Sequence, residues 1–132
     1  MRLCKGISLL LMCVVIVVGC GNNSKTLPDF VDSDLDNVTK LVIVDGSSGF
    51  KKVVSNNKTI EGFLSEIDKV TFIPEENQQS RSGFRYSIFL FHKEQEPFSF
   101  SLRQVNGKYY YTEPDLYPIV DEFYKGLDVQ EE

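Results

Sequence analysis

Phe98-Ser99-Phe100-Ser101-Leu102-Arg103-Gln104-Val105-Asn106-Gly107-Lys108-Tyr109-Tyr110-Tyr111-Thr112 is the stretch that decides the fold. Phe98, Phe100 and Leu102 alternate with Ser99, Ser101 and Arg103, the two-residue period of a half-buried strand. Asn106-Gly107 then supplies a type I′ turn, which needs positive φ at both central positions. A two-residue loop sets the register: Val105 opposite Lys108, Arg103 opposite Tyr110 and Leu102 opposite Tyr111. The predicted core face carries Phe98, Phe100, Leu102, Tyr109 and Tyr111. The other face carries Ser99, Ser101, Arg103, Tyr110 and Thr112.

Upstream, Phe84, Tyr86, Ile88 and Leu90 alternate with Arg85, Ser87, Phe89 and Phe91. Both faces turn apolar toward the far end, which suits a central strand. Leu41-Val42-Ile43-Val44 is a branched run inside a first strand, Thr39 to Val44. Asp45 to Gly49 is a turn cluster, and Phe50 to Val54 is a shorter, exposed strand because it contains Lys51 and Lys52. Asn57 is the expected N-cap of a helix whose Ile60, Phe63, Leu64 and Ile67 form one apolar stripe. Val70 to Ile73 is short and extended, and Glu75 to Gly83 is a long mobile loop. The last helix begins near Pro114 or Asp115, with Leu116, Ile119, Val120, Phe123, Tyr124 and Leu127 on its stripe. The order β-β-α-β-β-β-α predicts a two-layer α+β fold. One antiparallel sheet of about five strands carries both helices on one face and leaves the other partly open.

At the other end of the chain, Arg2 and Lys5 precede an apolar run from Ile7 to Val18, and Val17-Val18-Gly19-Cys20 follows. A branched apolar residue three before cysteine, a permissive residue, glycine and cysteine resemble the lipobox of bacterial membrane lipoproteins. An ordinary signal peptide needs small residues at the cut, where Val17 is too large. A spanning helix needs about 20 apolar residues, more than this run offers. The resemblance implies export, removal of residues 1–19, and a diacylglyceryl lipid on Cys20 as the only group carried. Two acyl chains give stable anchoring where one does not. Cys4 and Cys13 leave with the leader, so no disulfide or thiolate metal site is expected in residues 20–132. Residues 20–38 then read as the lipidated cysteine and a flexible acidic tether, with a stretched reach of about 60 Å over its eighteen free residues. Residues 39–132 read as one domain.

Without Arg2 and Lys5, twelve basic residues face nineteen acidic ones, a formal charge of −7. That balance argues against nucleic acid, which rewards clustered lysine and arginine. Known catalytic patterns fail residue by residue. Asp32-Ser33-Asp34-Leu35-Asp36 starts like a calcium loop but has Asn37 and Ile43 where glycine and glutamate are needed. His92, the only histidine, is expected exposed at a strand end, with no cysteine to share a metal and no nucleophile elbow. Gly46 to Gly49 lacks the lysine and helix of a phosphate loop. Asp115, Asp121 and Glu122 read as a solvated helix face. No catalytic residue and no metal site are expected.

Arg103 opposite Tyr110 is the constellation to watch, because arginine and tyrosine are enriched at binding hot spots. With Lys51, Lys52, Arg81 and Arg85 nearby, that face would be a basic aromatic patch on an acidic protein. A cross-strand pair with arginine over a tyrosine ring is the simpler reading of the same residues. The expected function is a non-enzymatic module on the outer side of a bacterial membrane, binding an envelope protein or peptide through the open sheet face or the Glu75–Gly83 loop. A small-ligand carrier or sensor and a carboxylate hydrolase are the alternatives. The layout of signal, tether and short α+β domain also resembles small lipoproteins of uncharacterised function in Gram-positive bacteria. In such a host the anchor would lie in the outer leaflet of the cytoplasmic membrane.

Overall fold

Branched and aromatic residues at two-residue spacing build eight strands in residues 24–31, 35–93 and 95–132, the part of the chain that the computed structural model describes. Val17-Val18-Gly19-Cys20, Asp32 and Asp34 lie outside the described residues. The elements are β1 (Lys25–Thr26), α1 (Leu27–Phe30), β2 (Val38–Asp45), β3 (Lys51–Val54), α2 (Asn57–Ile67), β4 (Thr71–Pro74), β5 (Tyr86–His92), β6 (Phe98–Ser101), β7 (Gln104–Val105), β8 (Lys108–Glu113) and α3 (Leu116–Gly126). The class is α+β, as the pattern predicts. The strands, however, divide between two antiparallel four-stranded sheets, β3-β2-β5-β6 and β1-β4-β8-β7. No helix among the described residues is long and apolar enough to cross a membrane.

β5 is central in its sheet, with Leu41 and Ile43 opposite Leu90 and Ile88 on one side and Phe100 opposite Ile88 on the other. Both long helices bury their stripes in the same core, and Phe63 of α2 stacks on Phe123 near the end of α3 at 4.2 Å between ring centroids. Asn56, one residue before the expected cap, accepts the Thr59 N–H at 3.1 Å and starts α2. The two sheets meet where Phe72 of β4 sets its ring edge against Phe100 of β6 at 6.3 Å.

The split between sheets comes from one corner. The Asn106-Gly107 turn forms as expected, with φ of 52° and 81°, and Val105 pairs with Lys108. Ser101 then breaks the strand: its Oγ accepts the Gln104 N–H at 3.1 Å, a local turn that competes with ladder pairing. Two bends at Leu102 and Arg103 shift the inward–outward alternation by one residue. Phe98, Phe100 and Leu102 still face inward, but after the corner the inward residues are Val105 and Tyr110. Tyr110 is 4% exposed and sets its ring edge-on to Phe30 and Phe72, while Tyr111 is 43% exposed. The expected faces of Tyr110 and Tyr111 are therefore exchanged.

Three other expectations are corrected. The domain starts near Ser24, not Thr39: β1 pairs with β4, Leu27 is fully buried, and Phe30 packs on Phe72. The acidic neighbours of Leu27 and Phe30 hide this plug from a composition reading. Lys52 is 8% exposed because its ammonium donates to the Tyr124 and Leu127 carbonyls at 2.8 and 3.1 Å. It thereby satisfies the orphan end of α3 and complements the helix dipole. His92 is buried at the end of β5 rather than exposed.

Candidate functional site

The chain between β4 and β5 has no regular structure, yet it is pinned rather than loose. Pro74 ends β4 because it has no N–H to continue the ladder. The Gln78 side-chain amide takes the place of a strand: Oε1 accepts the Tyr109 N–H at 2.8 Å and Nε2 donates to the Tyr109 carbonyl at 2.9 Å. Glu75 N–H donates to the same carbonyl at 3.0 Å. Further on, the Arg81 N–H donates to the Tyr109 hydroxyl at 2.8 Å, and the Arg81 guanidinium lies 4.5 Å from the Tyr109 ring centre. Its Nη1 donates to Glu75 at 2.8 Å.

The far end of this segment is held by Gly46, whose N–H donates to the Arg85 carbonyl at 2.8 Å. Arg85 pairs with Asp45 through Nη1 and lies 3.6 Å from Asp121 through Nη2. The Tyr86 hydroxyl donates to Asp121 at 2.7 Å, and Lys125 reaches the other carboxylate oxygen at 2.9 Å. Asp121 thus belongs to a network joining the β2–β3 turn, β5 and α3, which corrects its reading as part of a solvated helix face.

Between this segment, β8, the Leu102–Arg103 corner and the start of α3 lies a cleft of about 690 Å³. Arg81, Arg85 and Arg103 all line it, and they are the only arginines after Arg2. Tyr109, Tyr111 and Tyr117 supply aromatic walls, with Phe84 at the rim and 48% exposed. Among the described residues the single acid in the lining is Asp115, which accepts the Tyr117 N–H at 3.1 Å as the N-cap of α3. Arg81 and Arg85 have carboxylate partners; among the described residues the Arg103 guanidinium has none.

Of the two residues singled out from the pattern, Arg103 reaches this cleft and Tyr110 does not. They remain linked only through the backbone, Tyr110 N–H to Arg103 carbonyl at 2.7 Å. Arg81 and Arg85 join Arg103 as anticipated, whereas Lys51 and Lys52 lie outside the lining. Tyr111 was missed as a site residue because the alternation put it on the core face, and Tyr117 because it falls off the α3 stripe and carries no signal of its own. The open face of the β3-β2-β5-β6 sheet also exists: Val42, Val44, Val53, Phe89 and Phe91 are partly exposed there, and Lys40 sits 4.2 Å above the Phe91 ring centre. Among the described residues no three His, Cys, Asp or Glu side chains gather as a metal cage.

Two carboxylates of the network behind the cleft, Asp121 and Asp45, titrate below the ordinary value of 3.8. The Tyr86 hydroxyl, then Lys125, lower Asp121. Burial pushes Asp45 up, but the two Ser47 hydrogen bonds and the Arg85 charge outweigh it. A depressed carboxylate contributes stability above its unfolded pKa and loses it as pH falls through the folded value. Urea midpoints should therefore hold steady down to about pH 4 and decline below it, and Asp121→Asn should flatten that decline. Burial, then the Asp121 hydrogen bond, raises the Tyr86 pKa, so its contribution is present below pH 10 and lost as pH rises further.

The chain matches no protein-family model, no curated protein and no solved structure.

Proposed function

We propose that the chain is a binding module anchored by acyl chains on Cys20 at the outer side of a bacterial membrane, and that it holds a protein or peptide partner in the arginine cleft. The observation that carries this reading is the gathering of Arg81, Arg85 and Arg103 at one aromatic cleft of a chain with formal charge −5. Arginine offers a planar fork of donors matched to carboxylate or phosphate, and it stacks on aromatic rings, which lysine does less well. Tyrosine and arginine together are the residues in which binding energy concentrates. A two-carboxylate hydrolase needs an acid facing Asp115 across the reacting bond, and among the described residues no other acid lines the cleft. A small-ligand carrier is the second reading, because the cleft volume lies in the range of small-molecule sites.

The anchor and the cleft are tested separately. Intact mass of the exported protein should show a diacylglyceryl increment on Cys20, and Cys20→Ala should shed the protein or leave it uncleaved. Crosslinking on membranes should capture a partner that Arg103→Glu reduces about tenfold or more. Equal capture by the variant removes the cleft from the reading.

A further inference from the structure

We infer that the exposed rings bordering the arginine cleft rest on the bilayer that holds the Cys20 lipid, so that the cleft opens at the headgroup layer; this rests on the anchoring half of the reading above and not on the identity of a partner. Four large aromatic side chains are exposed among the described residues: Phe50, Phe84, Tyr111 and Tyr117. All but Phe50 border this one cleft. Tyr117 is braced in place, with the Tyr86 ring centre at 6.4 Å and the Arg85 guanidinium 5.8 Å from its own. Exposed rings gathered in this way mark an interaction surface, unlike apolar side chains scattered singly. The open face of the β3-β2-β5-β6 sheet presents no large apolar side chain exposed to the same degree.

Strand register sets what lies opposite the rings. β1 pairs with β4 and β4 with β8, which puts Lys25, Phe72 and Thr112 in one row across the sheet. Two strand spacings, about 10 Å, therefore separate Lys25 from Thr112, and Thr112 lines the cleft. β1 runs antiparallel to β4, so the chain enters it from the side of the next row, where Ile73 pairs with Tyr111. Four residues intervene between Cys20 and Lys25, a leash of about 18 Å at full stretch. A lipid on Cys20 keeps the bilayer within reach of Tyr111, and contact with it becomes an intramolecular event that needs little affinity of its own. Tyrosine suits that layer, with an apolar ring for the acyl boundary and a hydroxyl for the headgroups. Charge makes no selection here, because Glu75, Asp45 and Asp121 already compensate Arg81 and Arg85. The rings make it, and a headgroup layer without net charge suffices.

The chain contains no tryptophan, so Tyr111→Trp, Tyr117→Trp and, on the open face of the other sheet, Phe89→Trp each supply a single reporter in a separate protein. The full-length lipidated variants are reconstituted into phosphatidylcholine vesicles whose acyl chains carry bromine just below the headgroups. Emission from positions 111 and 117 should be quenched relative to vesicles without bromine, and emission from position 89 should be unchanged. Unquenched reporters at 111 and 117, equal quenching at all three positions, or quenching at 89 alone overturns the inference. Where intact mass shows the diacylglyceryl increment, such a result leaves the anchor standing; without that increment the anchor and this orientation fall together. Rings untouched by lipid yet shielded from acrylamide in native membranes give the face to a protein partner and also overturn the inference.

Discussion

Gly46→Ala is expected to lower stability by about 3 kcal/mol and to collapse the arginine cleft with it. A Cβ at Gly46 would stand 1.8 Å from the Phe84 carbonyl oxygen and 2.8 Å from its carbon. Those are backbone atoms, so no side-chain rotation relieves the clash. The strand start must move, and the Gly46–Arg85 hydrogen bond and the Arg85 pairing with Asp45 go with it. Gly62→Ala is the matched control. It sits in α2 with open space around the added atom, so replacing a flexible residue by the best helix former should stabilise by about 1 kcal/mol. Urea midpoints of the two variants should shift in opposite directions. A Gly46→Ala protein as stable as its parent would mean that the segment before β5 does not rest on the β2–β3 turn.

Phe72→Ala is expected to cost about 3–5 kcal/mol, the range for emptying a buried aromatic site. Phe72 is 1% exposed and ties α1 to both sheets. Its ring lies edge-on to Phe30 of α1 at 5.5 Å, to Phe100 of the other sheet at 6.3 Å, and to Tyr110 of its own sheet at 6.1 Å. Such rings contribute beyond their buried area. Against a total stability of about 5–15 kcal/mol, this loss should lower the melting temperature by well over ten degrees. Phe84→Ala, at an exposed ring, should change stability by no more than about 0.5 kcal/mol. Comparable melting temperatures for the two variants would contradict the packing described.

Local signals carried most of the elements. Asn106-Gly107 specified its turn because few other residues accept positive φ twice. The stripes of α2 and α3 were legible because Ile60, Phe63, Leu64 and Ile67 in one, and Leu116, Val120 and Tyr124 in the other, are all buried at helical spacing. The corner at Leu102–Arg103 was not legible, since the alternation runs unbroken into it and only the Ser101 turn marks the change of sheet. Lys52 was misread because charge argues for exposure, while the carbonyls that accept from it lie 72 and 75 residues away. The cleft was half legible: arginines beside aromatics were visible, but which aromatic points outward depends on the corner.

The pairing of β1 with β4 has a mechanical consequence. With acyl chains on Cys20, only Gly21 to Ser24 separate the anchor from the first paired residue, Lys25. Five backbone steps span at most about 18 Å, so a lipid on Cys20, as proposed, would moor the folded unit at the headgroups and keep it from sweeping the space above them. A partner of a unit so moored would itself stand within a few nanometres of the bilayer, as a segment emerging from the same membrane does.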